Sequence, residues 1–169
     1  MGEQRPGPYH PWWQPVTPQP VSGAALNPRL QEIVEDFAAV PDKDRLQLLL
    51  EYSLDLPALP ERYAAHRDLL EPVPECQTPL FLAAEVGPDS AVHLFFEAPA
   101  EAPTTRGFAA ILHAGLDGLD ADEVLAVPAE FSTKLGLQDL VSPLRLGGMA
   151  AMLARIKRQV QRQVRDQRG

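Results

Sequence analysis

The sequence predicts an α+β domain in which a small antiparallel sheet packs against several helices. Apolar residues recur at helical spacing in segments on both sides of the middle of the chain. Between them, two apolar runs are joined by Gly87-Pro88-Asp89-Ser90, a turn too short for a parallel crossover, which favours an antiparallel hairpin. The chain has 169 residues, 45% of them hydrophobic, which suits one domain with a core plus a tail.

The tail is predicted at the N-terminus. Residues 1–25 are rich in proline, which removes amide donors and disfavours helix, and they show no periodicity. We therefore expect a disordered segment here and assign residues 26–169 to the folded domain. The Trp12-Trp13 pair within the tail is either a sticky, partly ordered patch or a short partner-binding motif of the proline-rich kind.

Helices are predicted in the first part of the domain. Asn27-Pro28 pairs an N-cap residue with proline at the first helical position, and this helix runs to about residue 40. A second helix begins near Asp42 and ends before Pro57, and a short one is expected within residues 61–70. The first part of the domain is therefore expected to be helical.

The hairpin strands are predicted at 80–86 and 91–97. A helix capped by Thr104 or Thr105 follows them, and glycines weaken its end. Short helices are expected near residues 121–135. The last helix begins near Ser142-Pro143 and is predicted to be the longest.

Charge and composition exclude several classes of function. The net charge of −8 repels a phosphate backbone, so nucleic acid is not an expected partner. No signal peptide or membrane-spanning apolar run is found, so we expect a soluble, cytoplasmic protein with no membrane partner. No Walker or dinucleotide-binding motif occurs.

The distal part of the last helix is basic. A solvated helix face, with cations well placed at a helix C-terminus, is the simpler interpretation, and a docking surface for an acidic partner is the alternative. The basic residues are Arg155, Lys157, Arg158, Arg162, Arg165 and Arg168.

Cys76 is the only cysteine, so the chain can form neither an intrachain disulfide nor a cysteine-rich metal site. Free cysteines are among the most buried residue types, which leaves an inert core residue as one interpretation. The proline-flanked position of Cys76, directly before the first apolar run, instead predicts a loop at the mouth of a strand, where reactive groups tend to sit.

A thiol hydrolase or peroxidase would need a histidine or arginine beside Cys76. Nothing in the spacing of His66, His93 and His113 places one there. His93 falls in a predicted strand and His113 in a predicted helix, so structural roles are the simpler interpretation. From the residues alone, the sequence predicts a compact α+β domain with one thiol that is either inert or reactive.

Several motifs in register resemble the SufE family of sulfur-acceptor proteins, over about residues 26–164. The family's mark is a cysteine followed by glutamine and a small hydroxyl residue, here Cys76-Gln77-Thr78. The other matching segments are Glu51-Tyr52, Leu56–Pro60, Val73–Glu75, Arg106–Ala110, Leu135–Leu137, and Leu140–Arg145 leading through Gly147 and Met149.

The resemblance implies the SufE/IscU-like fold and a role in iron-sulfur cluster assembly. A SufS-like cysteine desulfurase would donate persulfide sulfur to Cys76 and be stimulated by the chain, and a downstream iron-sulfur assembly scaffold would receive the sulfur. The chain itself is expected to bind no cofactor and no metal, and the pyridoxal phosphate is expected on the desulfurase. A non-catalytic module that regulates a desulfurase or another partner is the alternative function.

The resemblance also implies the residues of the site. Cys76 is the sulfur acceptor, with Glu75, Gln77 and Thr78 as its neighbours in the sulfur loop. Family members often have glycine where this chain has Glu75, and a carboxylate there tends to raise the pKa of the thiol. Arg145 and Arg106 are the candidates for stabilising the thiolate or docking the partner.

Overall fold

The computed structural model describes residues 26–168, which fold as the predicted α+β domain. The segment predicted as a tail, 1–25, lies outside the described residues, as does residue 169. The strands are β1 (Glu71–Pro72), β2 (Phe81–Val86) and β3 (Val92–Glu97). The helices are α1 (Pro28–Ala39), α2 (Asp42–Ser53), α3 (Glu61–Ala64), α4 (Pro103–Leu116), α5 (Ala121–Leu125) and α6 (Pro143–Arg168), with short 3-10 turns at Arg67–Leu69, Pro74–Cys76 and Phe131–Leu135.

The first helix forms as its N-cap predicts. The Asn27 side chain accepts a hydrogen bond from the Leu30 amide at 3.0 Å, which satisfies one of the donors that a helix start leaves free. Leu30, Ile33 and Phe37 form the buried face of α1. That face lies against α4, so the first helix closes one side of the core.

The sheet is an antiparallel meander in the order β1-β2-β3. The predicted hairpin is confirmed: β2 pairs with β3 from Phe81 opposite Glu97 to Val86 opposite Val92. The additional strand β1 pairs only through Glu71 and Pro72, so its two residues give no period-2 pattern from which it could have been predicted.

The central helix α4 differs from its prediction at its start. Ala102, not Thr104 or Thr105, is the N-cap, because Pro103 supplies the first helical residue and needs no amide partner. The helix ends at Leu116, between Gly115 and Gly118, and Gly115 has a packing role as well. A Cβ at this glycine would lie 2.2 Å from Leu30 Cδ2, so its absence lets α1 pack closely against α4.

The last helix is the longest, as predicted, with 26 residues. Its buried face packs against β2 and against the turn that carries Cys76. The residues of this face are Gly148, Met149, Met152, Leu153, Ile156 and Val160. No helix within residues 26–168 is long and apolar enough to span a membrane.

Glutamine side chains of α6 cover the free edge of β2. Strand β1 is too short to pair with the second half of β2. There, Gln159 accepts from the Ala84 amide at 2.8 Å, and Gln163 accepts from the Val86 amide at 2.8 Å and donates to the Ala84 carbonyl at 2.7 Å. Gln167 donates to the Val86 carbonyl at 2.9 Å. The helix thus satisfies backbone groups that a further strand would otherwise pair.

Candidate functional site

Cys76 lies in the connection between β1 and β2. The Val73 amide donates to the Leu80 carbonyl at 2.9 Å, which closes the base of the loop, and the Cys76 amide donates to the Val73 carbonyl at 3.1 Å. A 3-10 turn over Pro74–Cys76 ends at Gln77, which adopts the left-handed conformation with φ of 61°. A non-glycine residue in this region costs about 1 kcal/mol or more, so the tip of the loop carries some strain.

The thiol of Cys76 points inward, and the residue is 7% exposed. Its Sγ donates to the Gly148 carbonyl of α6 at 3.6 Å. A Cβ added at Gly148 would lie 3.1 Å from Sγ and 3.2 Å from the Cys76 Cα. The thiol therefore has space against α6 only because residue 148 has no side chain.

The surroundings of Cys76 favour the neutral thiol. Burial, with a smaller contribution from the Glu75 carboxylate, raises the pKa of Cys76 to about 11, and the Arg155 guanidinium opposes both effects. The effect of Glu75 agrees with the expectation from the sequence. At neutral pH the thiol is protonated, and because the thiolate is the nucleophile, Cys76 is weakly reactive in this conformation.

Arg155 is the centre of an ion-pair network beside the thiol. It binds both oxygens of Glu75, at 2.6 and 2.8 Å, and one oxygen of Glu71 at 2.7 Å. Arg158 donates to Glu71 at 2.9 Å, and Gln159 donates to the other Glu71 oxygen at 2.8 Å. The network joins the cysteine turn and β1 to one face of α6.

The network keeps both carboxyl groups ionised. Hydrogen bonding from Arg155 lowers the pKa of Glu75. Burial raises the pKa of Glu71, but hydrogen bonds from Gln159, Arg155 and Arg158 outweigh it and lower the pKa. Glu75 is therefore a carboxylate at neutral pH, adjacent to the thiol and bound to a cation.

Thr78 and Gln77 are the other predicted neighbours of Cys76. The Thr78 hydroxyl donates to the Thr105 hydroxyl at 3.2 Å, which ties the far side of the loop to the start of α4. Gln77 is exposed at the tip, and its amide donates to the Pro74 carbonyl at 3.0 Å. Both residues therefore shape the turn through which the cysteine is presented.

The two arginines predicted for the site make their contacts elsewhere. Arg106 donates to the Ala98 carbonyl at 2.7 Å, which stabilises the chain entering α4. Arg145 is exposed near the start of α6, and its amide donates to the Ser142 hydroxyl at 3.3 Å. In the free chain, the cation that acts on the Cys76 thiol is Arg155. A role for Arg145 or Arg106 in stabilising the thiolate or docking the partner stays a prediction.

Sequence reasoning missed Arg155 and Gly148 as site residues. In the sequence, Arg155 is one of several basic residues of the distal helix. It begins a series with Gln159, Gln163 and Gln167 at intervals of four residues, a stripe along one helix face that could have suggested a shared contact. Nothing in the sequence marks Gly148 over Gly147.

The histidines do not form a pair with the cysteine. His93 Nδ1 and His113 Nε2 each lie 3.7 Å from Asp117 Oδ1, in a cluster between β3 and α4. The contacts that act on the Cys76 thiol come from Glu75, Arg155 and Gly148. Within residues 26–168, no group of three or more His, Cys, Asp or Glu side chains is arranged to hold a metal ion.

The sequence matches a known protein family over the region that forms the site. Residues 31–160 match the family described as "SufE: Fe-S metabolism associated domain". The match spans more than half of the chain and includes Cys76, its turn and most of α6.

Curated relatives agree with the family match. An uncharacterized SufE-like protein of Mycobacterium tuberculosis is 58% identical over 137 residues, which are 81% of this chain and 94% of that protein. SufE-like protein 1, chloroplastic/mitochondrial, of Arabidopsis thaliana is 32% identical over 129 residues, 76% of this chain and 33% of the plant protein.

A solved structure shares the fold. The solution structure of a hypothetical protein from Thermus thermophilus superposes with a TM-score of 0.72 and 40% sequence identity. The superposition covers 82% of this chain and 97% of that one. The chain thus belongs to the SufE family, whose domain is associated with iron-sulfur metabolism.

Proposed function

We propose that this chain accepts sulfur on Cys76 as a persulfide from a SufS-like cysteine desulfurase, stimulates that enzyme, and passes the sulfur on for iron-sulfur cluster assembly. The observation that carries the proposal is the place of Cys76: the sole cysteine of a SufE-family chain lies on a turn between two strands. A turn can move without breaking the pairing of β2 with β3, so the thiol can change its exposure while the fold persists.

The transfer is a thiol–disulfide type of exchange. The Cys76 thiolate attacks the outer sulfur of the persulfide on the desulfurase cysteine, and a new S–S bond forms at Cys76 Sγ. The S–S bond of the desulfurase breaks, and its electron pair leaves with the desulfurase cysteine as a thiolate. The total number of sulfur atoms and electrons is unchanged, so no separate oxidant or reductant is required.

Burial in the free protein supports a carrier. A thiol held neutral beside Gly148 is a poor nucleophile and a poor target for oxidants, which protects it between transfers. Docking on a desulfurase would expose Cys76 and allow its pKa to fall toward the ordinary value. Reactivity would then arise only in the complex.

A single cysteine favours a carrier over a cluster scaffold, because a cluster needs several ligating cysteines. We assign the pyridoxal phosphate to the desulfurase and no cofactor to this chain. The proposed acceptor of the sulfur is an assembly scaffold, and the proposed location is the cytoplasm, where thiols stay reduced.

Intact mass spectrometry tests the proposal. The full chain is incubated with the desulfurase and free cysteine, and we expect a mass gain of one sulfur atom that is lost on addition of a reductant. The Cys76→Ser variant is the control and should show no gain. Absence of the sulfur adduct on the wild-type chain under turnover would refute sulfur transfer.

A non-catalytic regulatory module is the second candidate, because a thiol that stayed buried and neutral in the complex as well would take no part in chemistry. Such a module would stimulate the desulfurase by binding alone. The Cys76→Ser variant separates the two functions. A carrier loses stimulation in this variant, whereas a binding module keeps it at the wild-type level.

A further inference from the structure

Two hydrogen-bonded contacts tie the loop 74–79 to α6 within residues 26–168. The first is the Cys76 thiol on the Gly148 carbonyl at 3.6 Å, which is a weak sulfur hydrogen bond. The second is the ion pair in which Arg155 Nη2 donates to both oxygens of Glu75, at 2.6 and 2.8 Å. Charge-assisted hydrogen bonds are about twice as strong as neutral ones, so the ion pair is the stronger of these two contacts.

Arg155 is the fixed partner in this pair and Glu75 is the free one. The Arg155 side chain is 17% exposed and is anchored on its other side by Glu71 of β1, at 2.7 Å. The Glu75 side chain is 50% exposed and lies on the short turn, close to the strained Gln77. If the pair separates, the turn can leave the helix while Arg155 stays in place on Glu71.

We propose that Arg155 is a positioning residue for Cys76, whose ion pair with Glu75 latches the cysteine turn onto α6 and keeps the thiol buried until a docking partner releases it. The Glu75–Arg155 latch is a property of the free chain. Only the identity of the partner that opens it rests on the proposed sulfur transfer.

The latch and simple electrostatics predict opposite effects of removing Arg155. If the turn stayed closed, loss of the guanidinium would leave the Glu75 carboxylate unopposed beside the thiol, and the pKa of Cys76 would rise. If the ion pair holds the turn closed, its loss opens the turn, hydrates the thiol and lowers the pKa toward the ordinary value. The sign of the change decides between them.

The test uses the full free chain with the substitutions R155Q and R158Q. Arg158 is the matched control, because R158Q removes the same charge from the same helix and from Glu71 but leaves the pair with Glu75 intact. Alkylation of Cys76 by iodoacetamide is followed by intact mass, and the thiolate is titrated by its ultraviolet absorbance.

We expect R155Q to be alkylated about three- to tenfold faster than wild type at pH 8, the scale of one well-formed ion pair, with a lowered pKa of Cys76. The control R158Q should react at the wild-type rate. Slower alkylation with a raised pKa in R155Q would overturn the latch, as would an equal acceleration in R158Q.

The exposed partner provides a second variant in case R155Q does not fold. Glu75→Gln keeps the size of the side chain, lies on the surface and removes the ion pair from the other side. Hydrogen exchange at the Cys76 amide, which donates to the Val73 carbonyl, reports opening of the turn independently of thiol charge. Faster exchange in E75Q is expected, and exchange equal to wild type would overturn the proposal.

The two proposals fail separately. These measurements need no desulfurase, so an open turn in R155Q and E75Q together with no sulfur adduct on the wild-type chain would reject sulfur transfer and keep the latch. A sulfur adduct on the wild-type chain, with unaltered exchange and alkylation in both variants, would reject the latch and keep sulfur transfer.

Discussion

At the scale of single residues, the site depends on two adjacent glycines with different roles. Gly148 is buried against the cysteine turn, where an added Cβ would lie 3.1 Å from the Cys76 Sγ and 3.5 Å from the Glu75 carbonyl oxygen. Gly147 is exposed, and a Cβ there would have no neighbour within 4 Å among the described residues. Glycine is therefore required at position 148, where a methyl group would collide with the cysteine turn, but not at position 147.

Gly148→Ala is predicted to displace the cysteine turn. The new methyl group would be too close to the Cys76 thiol, and such overpacking lowers the free energy of unfolding by about 1–3 kcal/mol. The displaced thiol should also be alkylated faster. Gly147→Ala is the control and should stabilise the protein by about 0.5–1 kcal/mol, because alanine replaces glycine inside a helix without a clash. Urea unfolding measures both, and equal stability changes in the two variants would contradict the prediction.

At the scale of elements, α6 acts on the sheet through one stripe of side chains. Arg155, Gln159, Gln163 and Gln167 lie four residues apart, so they project from the same face of the helix. Arg155 binds the cysteine turn and β1, and the glutamines bind the backbone of β2 in succession. The same face thus positions the site at one end and covers the edge of the sheet at the other.

Gln163→Ala is predicted to weaken the covered edge of β2. The substitution leaves the Val86 amide and the Ala84 carbonyl without their partner, which costs about 1–3 kcal/mol when such groups are buried. Gln161→Ala, at an exposed glutamine of the same helix, should change stability by less than about 0.5 kcal/mol. Thermal unfolding measures the difference.

Exposure of the edge should also change association in solution. An uncovered strand edge is a template for pairing with another chain, so Gln163→Ala should self-associate at concentrations where Gln161→Ala and wild type do not. Sedimentation measures this. Equal stability and equal association of the two variants would show that the glutamine contacts do not protect the edge.

At the scale of the whole molecule, one core connects the sheet with the helices. The largest hydrophobic cluster among the described residues draws side chains from α1, α2, α4, α5, α6 and the β2–β3 hairpin. Leu112 of α4 is fully buried in this cluster, whereas Leu54 at the end of α2 is 83% exposed. The site rests on this core, because α6 packs on it through the face that also meets the cysteine turn.

Leu112→Ala is predicted to cost about 2–5 kcal/mol of unfolding free energy, since it removes buried methyl groups and leaves a cavity. Leu54→Ala makes the same chemical change at the surface and should stay within about 0.5 kcal/mol of wild type. Both variants should unfold in one cooperative transition, followed by circular dichroism in urea. A Leu112→Ala effect as small as that of Leu54→Ala would contradict the central place of α4.

The parts of the fold that could be predicted depend on short stretches of neighbouring residues. Asn27 before Pro28 determines the start of α1, and the turn at 87–90 requires the antiparallel hairpin, because both depend on residues close together in the chain. The prediction of Thr104 or Thr105 as the N-cap of α4 was wrong for an equally local reason, since Pro103 can begin a helix without an amide partner. Strand β1 has only two residues, which is too short to produce an alternating hydrophobic pattern, so it could not be predicted.

Residue patterns along the chain were sufficient for the fold class, for the family and for the fact that Cys76 is the single thiol. The state of that thiol, in contrast, depends on how the helices and the sheet pack together. Its burial, its pKa of about 11 and its ion-paired neighbour depend on Gly148, 72 residues from Cys76, and on Arg155, 80 residues from Glu75. Contacts over such distances arise from how α6 packs on the sheet, and no local pattern of residues encodes them.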